Sequence, residues 1–487
     1  MSPQSLISGF RRNIFVGRDD CFSVLDLVFP LRRLRPVNLF NNSIAKGLII
    51  FAFSTITLIT WYNSSKFSAA IDFLKFNKYG SIYILTGQIM LAISLATLLW
   101  RLILVITYRP VKPCSDEELP MCTIVVPAYN EGSMVAQTLH SVAQSDYPAE
   151  KLQIIAVDDG SVDDTWLWIE KAAKEINGRI ETIKLPQNCG KRRALFEGFI
   201  RGKGEVMVTI DSDSLIDPDT IRCIVSPFVH DSKIGAVAGC VRVLNQHKGI
   251  IPRMLEISFA YSFEFMRASQ SAINSVFCTP GALSAYRKEP LMKVLNSWVN
   301  QTFLGQPAHI GEDRALTNAI LKDGYHVTFQ SNSIVYTNVP VQYENLCKMF
   351  LRWARSNVRE TLVMSTFIFS NFRKTPALGA RINFLVSAIQ MIVPQFLLIG
   401  LLCCLLWQPS VFLPNIIFSA GVCGCLPAAF YALRHCRTDC LWSIAYTIFW
   451  VFFLSWISVY ALFTVANGKW LTRDIKTKKP VAARISA

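Results

Sequence analysis

Charged residues are scarce in this chain. They make up 17% of its 487 residues, against roughly 25% in a typical globular domain. Hydrophobic residues make up 52%, and the mean hydropathy is +0.33. The shortage of charge argues against an ordinary soluble enzyme. The apolar content excludes a disordered chain, a collagen-like fibre and a small disulfide scaffold. Acidic residues are the scarcer sign, 34 against 49 Lys and Arg. The 14 cysteines build no metal framework. Cys436 and Cys440 beside His435 come nearest, and no second pair stands nearby. Cys403, Cys404, Cys423 and Cys425 lie in apolar runs, where thiols behave as small hydrophobes. Reduced thiols and a cytosolic main domain are expected. A cleavable signal peptide is not expected, because the first 40 residues carry six arginines and no compact apolar core.

What the chain has instead is long apolar runs near both ends. They are Gly47–Tyr62, Ile82–Trp100 continuing to Tyr108, Ile382–Trp407, Val411–Leu433 and Leu441–Val465. A helix needs about 20 apolar residues to cross the hydrocarbon core, so these runs are read as membrane spans in preference to buried core helices. Seven basic residues up to Lys46 precede the first span, and the loop Asn63–Gly80 holds three. That bias places the N-terminus in the cytoplasm.

The expected plan is a cytoplasmic segment (1–43), two spans (44–109) and a cytosolic domain (110–342). Amphipathic interface helices (343–375), a C-terminal membrane region (376–466) and a basic cytoplasmic tail (467–487) follow. Three C-terminal spans would leave that tail outside. A short hairpin or broken helix around Asp439–Asn467, giving as many as four passes, is therefore expected. The formal charge of +15 points to anionic membrane lipid rather than nucleic acid, because much of it lies beside spans and in terminal segments.

The middle reads as α/β. Strand candidates are Cys122–Val126, Leu152–Val157, Arg179–Leu185, Gly204–Ile210 and Gly235–Val243, with helical patterns at Ser133–Ser145, Thr165–Ile176 and Lys191–Gly202. Alternating strands and helices predict a mostly parallel sheet, with ligands at the carboxyl ends of its strands. The polar residues stand there: Ala128-Tyr129-Asn130-Glu131, Asp158-Asp159-Gly160-Ser161 and Asp211-Ser212-Asp213, with Asn188-Cys189-Gly190-Lys191 between. Each alone suits a turn or a helix cap. Together they form a crevice for a nucleotide diphosphate, with a carboxylate for base or ribose and Lys191 for phosphate. Asp211 and Asp213 suit Mg²⁺ or Mn²⁺, which take oxygen ligands and bridge phosphates.

With these motifs the chain resembles a family 2 glycosyltransferase of GT-A fold. The resemblance is to the membrane-embedded processive kind that includes hyaluronan synthase, the rhizobial chitooligosaccharide synthase NodC, chitin synthase and cellulose synthase. It covers about residues 120–365. Gly311-Glu312-Asp313-Arg314 resembles the GEDR signature, Cys278–Ser284 with Arg287 the acceptor-cradling segment, and Arg352-Trp353 the Gln-x-x-Arg-Trp element, here with Met349 at the glutamine position. Lys469–Arg473 resembles a Trp-Gly-Thr-Arg element that closes over nucleotide, and reads equally as an interfacial anchor.

The resemblance implies that Asp313 is the catalytic base, where the residue's plain reading is a cap on the helix Arg314–Lys322. It implies a UDP-sugar site of Ala128, Tyr129, Glu131, Asp158, Lys191, Asp211, Arg352, Trp470 and Arg473. The implied acceptor contacts are Cys278, Gly281, Ser284, Glu312, Arg314 and Trp353, and Asp213 with Asp211 would hold the metal. The implied activity is inverting β-polymerisation from UDP-N-acetylglucosamine, alone or alternating with UDP-glucuronate, onto a growing polysaccharide passed through the spans of an inner or plasma membrane. The alternatives are transfer of one sugar to a lipid carrier, or a transporter with a degenerate domain. Intact Asp158, Asp211, Asp213 and Asp313 argue against degeneration.

Two stretches have amphipathic spacing. In Leu346–Glu360 the residues Lys348, Arg352, Arg355 and Arg359 suggest a cationic face at the membrane surface. In Pro252–Met266 the stripe of Met254, Ile257, Tyr261 and Phe265 reads equally as interfacial or as core-facing.

Overall fold

The computed structural model describes residues 42–435 and 438–467. Three helices open the described chain: α1 (Asn42–Tyr62), α2 (Ser64–Phe76) and α3 (Lys78–Thr107). The α/β domain follows with β1 (Cys122–Ala128), α4 (Met134–Ala143), β2 (Leu152–Asp158), α5 (Thr165–Glu175), β3 (Ile180–Lys184) and α6 (Lys191–Arg201). Next come β4 (Val206–Ile210), β5 (Ser214–Ile216), α7 (Thr220–His230), β6 (Ile234–Val243) and α8 (Ile250–Ala260). The helix α8 runs on through a π-helical stretch, Tyr261–Arg267. Then follow β7 (Leu283–Arg287), α9 (Lys288–Val299), the small hairpin β8 (Thr302–Phe303) and β9 (Gln306–Pro307), α10 (Glu312–Lys322) and β10 (His326–Thr337). The long α11 (Tyr343–Ser365) leads to α12 (Leu378–Trp407), α13 (Pro409–His435), α14 (Trp442–Phe449) and α15 (Ser455–Phe463).

Eight strands form one sheet in the order β3-β2-β1-β4-β7-β6-β10-β5. The pairs β1–β2, β1–β4, β2–β3 and β6–β10 are parallel. Those of β7 with β4 and β6, and of β5 with β10, are antiparallel. The strands β1 and β4 are buried along their whole length, as expected of apolar, β-branched strands covered on both faces. The helix α6 packs on β1 and β2, and α7 on β6 and β10.

The register brings the motifs to one edge. Ala128 stands opposite Asp158, and Ile210, just before Asp211, stands opposite Leu283, just after the Gly281 turn. An antiparallel β7 thus delivers the Gly281 turn to the carboxyl ends of its neighbours.

Five helices are long and apolar enough to cross a membrane: Ser43–Tyr62, Lys78–Thr107, Leu378–Trp407, Pro409–His435 and Thr438–Phe463. They carry large exposed apolar side chains, such as Phe51 and Leu99, which lipid would solvate. Thr438–Phe463 is one helical run of 26 residues, interrupted by a π-helical Trp450–Leu454. It is a broken helix and not a hairpin, and the described residues hold no fourth C-terminal span. The two terminal segments, with Trp470 and Arg473, lie outside the described residues.

Both amphipathic stretches differ from a lipid-facing reading. On α11, Arg355 is buried and donates to Thr464 Oγ1 at 3.0 Å. Arg359 is buried against Glu360 and the Ile310 carbonyl. These arginines face inward because their partners come from distant segments, so the expected cationic face is not formed. The stripe of α8 is covered by protein: Met254 and Ile257 pack with Ala45, Tyr431 and Trp442 of the membrane helices.

Candidate active site

The strand-end loops are sewn together through side chains. Asn130, at a left-handed φ of 52°, donates its N–H to Ser161 Oγ at 3.0 Å, and its Oδ1 accepts from Val162 N at 3.0 Å. The N–H of Glu131 is held by Thr165 Oγ1 at 2.8 Å. The Ala128 carbonyl accepts from Asp159 N at 2.8 Å, and Tyr129 stands at the start of the same loop. Asp158 is fully buried, and one of its oxygens accepts from Ser161 N at 3.1 Å. The other has no hydrogen-bond partner within the protein. A buried acceptor of this kind costs about 1–3 kcal/mol unless a ligand satisfies it, so Asp158 is equipped to receive an N–H or O–H from a bound molecule.

Asp159, which the sequence reading left without a role, accepts from Cys189 N and Gly190 N, both at 2.8 Å. It clamps the turn that launches Lys191 at the start of α6. The doubled acid in Asp158-Asp159 was the available signal.

Lys191 is buried between two carboxylates, bonded to Asp211 Oδ1 and 3.2 Å from Glu312 Oε1. Burial alone would lower its pKa, but Asp211 and Glu312 outweigh burial and hold the ammonium above the ordinary lysine value. Burial likewise works against the Glu312 carboxylate, yet Lys191, with Arg352 and Arg192, holds it below the usual range. Gly281 faces this cluster, and a Cβ there would lie 2.7 Å from Lys191 Nζ. Any side chain at 281 would push the lysine from its seat.

Asp213 accepts from Ser214 Oγ and Thr337 Oγ1, both at 3.3 Å. Burial, then the charge of Asp211, push its pKa up to about 6. Two neighbouring carboxylates under mutual repulsion are the donor chemistry of a hard dication whose other ligands come from phosphate and water. The pair fits Mg²⁺ or Mn²⁺ on those terms, although the described residues hold no cluster of three or more candidate metal ligands.

Asp313 lies on the first turn of α10, after Gly311. Gly311 has a left-handed φ of 67°, and a Cβ there would overlap Ser356 Oγ of α11, so the contact between the two helices requires glycine. Asp313 accepts from its neighbour Arg314 N at 2.7 Å and from Cys278 Sγ at 3.8 Å. Desolvation and the charge of Glu312 push its pKa above the usual aspartate range, against the pull of Lys191. The turn is tied down from several sides. Trp298 Nε1 donates to the Glu312 carbonyl at 2.8 Å, and Arg359 holds the Ile310 carbonyl. Glu360, which pairs with Arg359, also accepts from Gln301 and Asn318. Arg314 Nη2 reaches Thr361 Oγ1 at 2.9 Å.

Trp353 is 43% exposed, its ring set against Phe259 and Phe350. Ser284 is buried within β7, and its hydroxyl engages the Pro280 carbonyl, Thr209 and Tyr286. It buttresses the turn.

Residues 120–356 match the model of the glycosyltransferase-like family 2. The chain is 30% identical over 414 residues to an N-acetylglucosaminyltransferase of Rhizobium meliloti, covering 82% of this chain and 95% of that relative. It is 31% identical over 362 residues to the hyaluronan synthase of Streptococcus pyogenes, covering 72% and 82%. This chain belongs to glycosyltransferase family 2. A mannosyltransferase from Pyrobaculum calidifontis, solved with GDP-Man and Mn²⁺, shares the fold. Its TM-score is 0.54 at 20% identity, over 76% of this chain and 98% of that one.

The GT-A architecture explains why the transferase motifs meet. Asp211, just after β4, Lys191 of α6 and Glu312 and Asp313 of α10 form one continuous cluster. Beyond Cys278 and Arg314 lies a cavity of about 410 Å³ that reaches Gln390 of α12 and Ser458 of α15. The hexosyltransferase domain therefore opens toward its own membrane helices. Asp159, Arg359 and Glu360 hold the site's loops together in roles that the motifs did not give them.

Proposed function

We propose that this transferase builds a β-linked polysaccharide from UDP-N-acetylglucosamine at the cytosolic face of a cell membrane and passes the growing chain through its own spans. The observation that carries this reading is that Asp313 touches Cys278, which lines the cavity bounded by Gln390 and Ser458 of the apolar helices. Transfer of one sugar to a lipid would not call for a cavity with polar side chains among spans.

In the proposed step, Asp313 removes the proton of the acceptor hydroxyl, and that oxygen bonds to the anomeric carbon of the donor sugar. The bond from that carbon to the diphosphate breaks, with inversion, and UDP leaves with the electron pair. A base with a raised pKa is the stronger proton acceptor. Lys191 offers its ammonium to the departing phosphate oxygens, and Arg352 a planar guanidinium. Asp158 receives the N–H of the uracil or a ribose hydroxyl on its free oxygen. Trp353 offers a flat face to the acceptor sugar. A Mg²⁺ or Mn²⁺ on Asp211 and Asp213 would neutralise charge on the leaving diphosphate.

The test is to incubate the purified full chain with UDP-N-acetylglucosamine and Mn²⁺, then size the product and digest it with a β-specific hydrolase. Long digestible chains are expected, and their loss on chelation of the metal. Only single-sugar lipid products would overturn the reading.

A further inference from the structure

A passage that admits a sugar chain also admits water and small ions, so a transferase that moves polymer through its own spans must limit leakage. The cavity beyond Cys278 carries charge of one sign. Three of its lining residues are arginines, Arg101 of α3, Arg267 of the π-helical stretch and Arg314 of α10, and no carboxylate lines it. Asp313, which accepts from Cys278 Sγ at 3.8 Å, borders it from the catalytic side. None of the three arginines has a carboxylate within ion-pair distance among the described residues.

Neutral groups hold all three. Arg101 belongs to a helix long and apolar enough to cross a membrane. It is only 5% exposed, donates to Asn383 Oδ1 at 3.2 Å, and its Nε has no partner. Arg267 stacks over the Phe263 ring, 3.8 Å from its centre, and donates to Ser262 Oγ at 3.0 Å. Arg314 donates to Thr361, and its Nε is buried without a partner. Two other buried arginines are neutralised in place, Arg242 by Glu256 and Glu264 and Arg359 by Glu360.

A buried cation without a counter-ion is costly, and an ionisable side chain on a membrane-spanning helix marks function. In a narrow passage with low-dielectric walls, fixed positive charge excludes protons and metal cations. A guanidinium suits that task because it keeps its proton at any physiological pH. Gln390, Gln395 and Ser458 of the same lining can meet sugar hydroxyls without offering a cation a carboxylate.

We infer that Arg101, Arg267 and Arg314 form an electrostatic barrier that excludes potassium, sodium and protons from the polymer path while leaving it open to sugar. The inference rests on the polymerising reading above. It gives the enzyme a second function, to move a hydrophilic chain without discharging the cation gradients of its membrane.

The experiment places the full chain in planar bilayers of phosphatidylcholine, which brings no net charge, between two concentrations of potassium chloride. Chloride is expected to be at least about tenfold more permeant than potassium, read from the reversal potential. That preference should shrink as total salt rises and screens the fixed charges. Arg101→Gln should speed potassium entry about tenfold, the factor for one unit charge roughly 8 Å from the path at an effective dielectric constant of about 30. Arg101→Lys keeps the charge and should keep the barrier. An equal potassium leak in both variants would overturn charge as its cause. If Arg101→Gln does not fold, Gln390→Glu adds a carboxylate to the same lining and should open the path to potassium. An unselective or potassium-selective current in the unaltered chain would overturn the inference. So would silence toward both ions, because packing and not charge would then close the path.

In parallel, liposomes carrying the chain receive UDP-N-acetylglucosamine and Mn²⁺ from outside, and polymer shielded from an added hydrolase is counted as transported. Shielded polymer together with an unselective ion leak overturns the inference and leaves the polymerising reading standing. A chloride-selective path with no shielded polymer would overturn that reading instead.

Discussion

Lys191 Nζ lies 3.2 Å from Glu312 Oε1. This contact joins the first residue of α6 to the first turn of α10 and so couples the proposed diphosphate side of the crevice to the side where Asp313 stands. It exists because Gly281 leaves no side chain in the way. A donor bound through Lys191 therefore sits beside the proposed base.

Asp313→Asn should lower the transfer rate by roughly 10²–10⁴-fold while UDP-sugar binding changes little. Binding by calorimetry and turnover by UDP release separate the two. In the unaltered enzyme, activity should fall as pH drops, with its midpoint above the ordinary aspartate range, because burial and Glu312 raise the Asp313 pKa. Glu312→Gln removes the neighbouring charge and should move that midpoint to lower pH. A midpoint at the ordinary aspartate value would contradict the assignment.

Gly311→Ala places a methyl group against Ser356 Oγ at a left-handed φ. The cost expected from strain and overlap is about 1–3 kcal/mol, read as a lower Tm and reduced turnover. Gly311→Ala with Ser356→Gly should recover part of the loss. A single variant as stable as the parent would show that the helices do not depend on this contact.

Cys278 lines the cavity and is therefore open to small reagents. Burial and then the charge of Asp313 push its thiol up to about 12. Since the thiolate is the reactive form, iodoacetamide at mildly alkaline pH should label Cys278 far more slowly in the folded enzyme than after unfolding. Peptide mass mapping reads the site in both states. Fast labelling of Cys278 in the folded enzyme would refute the raised pKa.

Arg359→Met would strand Glu360, which is 0% exposed, as a buried charge without its ion-pair partner. A loss of about 3–5 kcal/mol is expected, together with low activity because the Ile310 carbonyl loses its donor. Arg359→Met with Glu360→Gln should regain stability but not full turnover. Thermal unfolding and UDP release together check this.

The spans and strand ends were legible in the sequence because each has a local signature. Five apolar runs stand out, the first of them, Gly47–Tyr62, short for a span and extended by its helix back to Ser43, and β1, β2 and β4 each run from apolar residues straight into their acidic or polar motif. What depended on long-range partners was hidden. Asp159 acts on backbone groups at Cys189 and Gly190, which carry no sequence mark. The arginines of α11 looked solvated because basic residues recur along one side of the helix, yet Arg355 and Arg359 meet Thr464 and Ile310 from segments far away in the chain. The strand β7 gave no separate signal because Leu283-Ser284 lay inside a motif read for its chemistry. For the last apolar segment a hairpin or a broken helix was expected, and the structure has one helical run that carries a π-helical stretch.

The footing of α11 has a practical consequence. That helix carries Arg352 and Trp353, sets Ser356 against the Asp313 turn, and leans on the last span and its end, through Tyr343 on the Phe453 carbonyl and Arg355 on Thr464. A protease cut or truncation that frees the domain before α12 would strip away this scaffolding. Efforts to prepare a water-soluble working fragment should fail for that reason, and detergent extraction should spare activity only where it spares the last span.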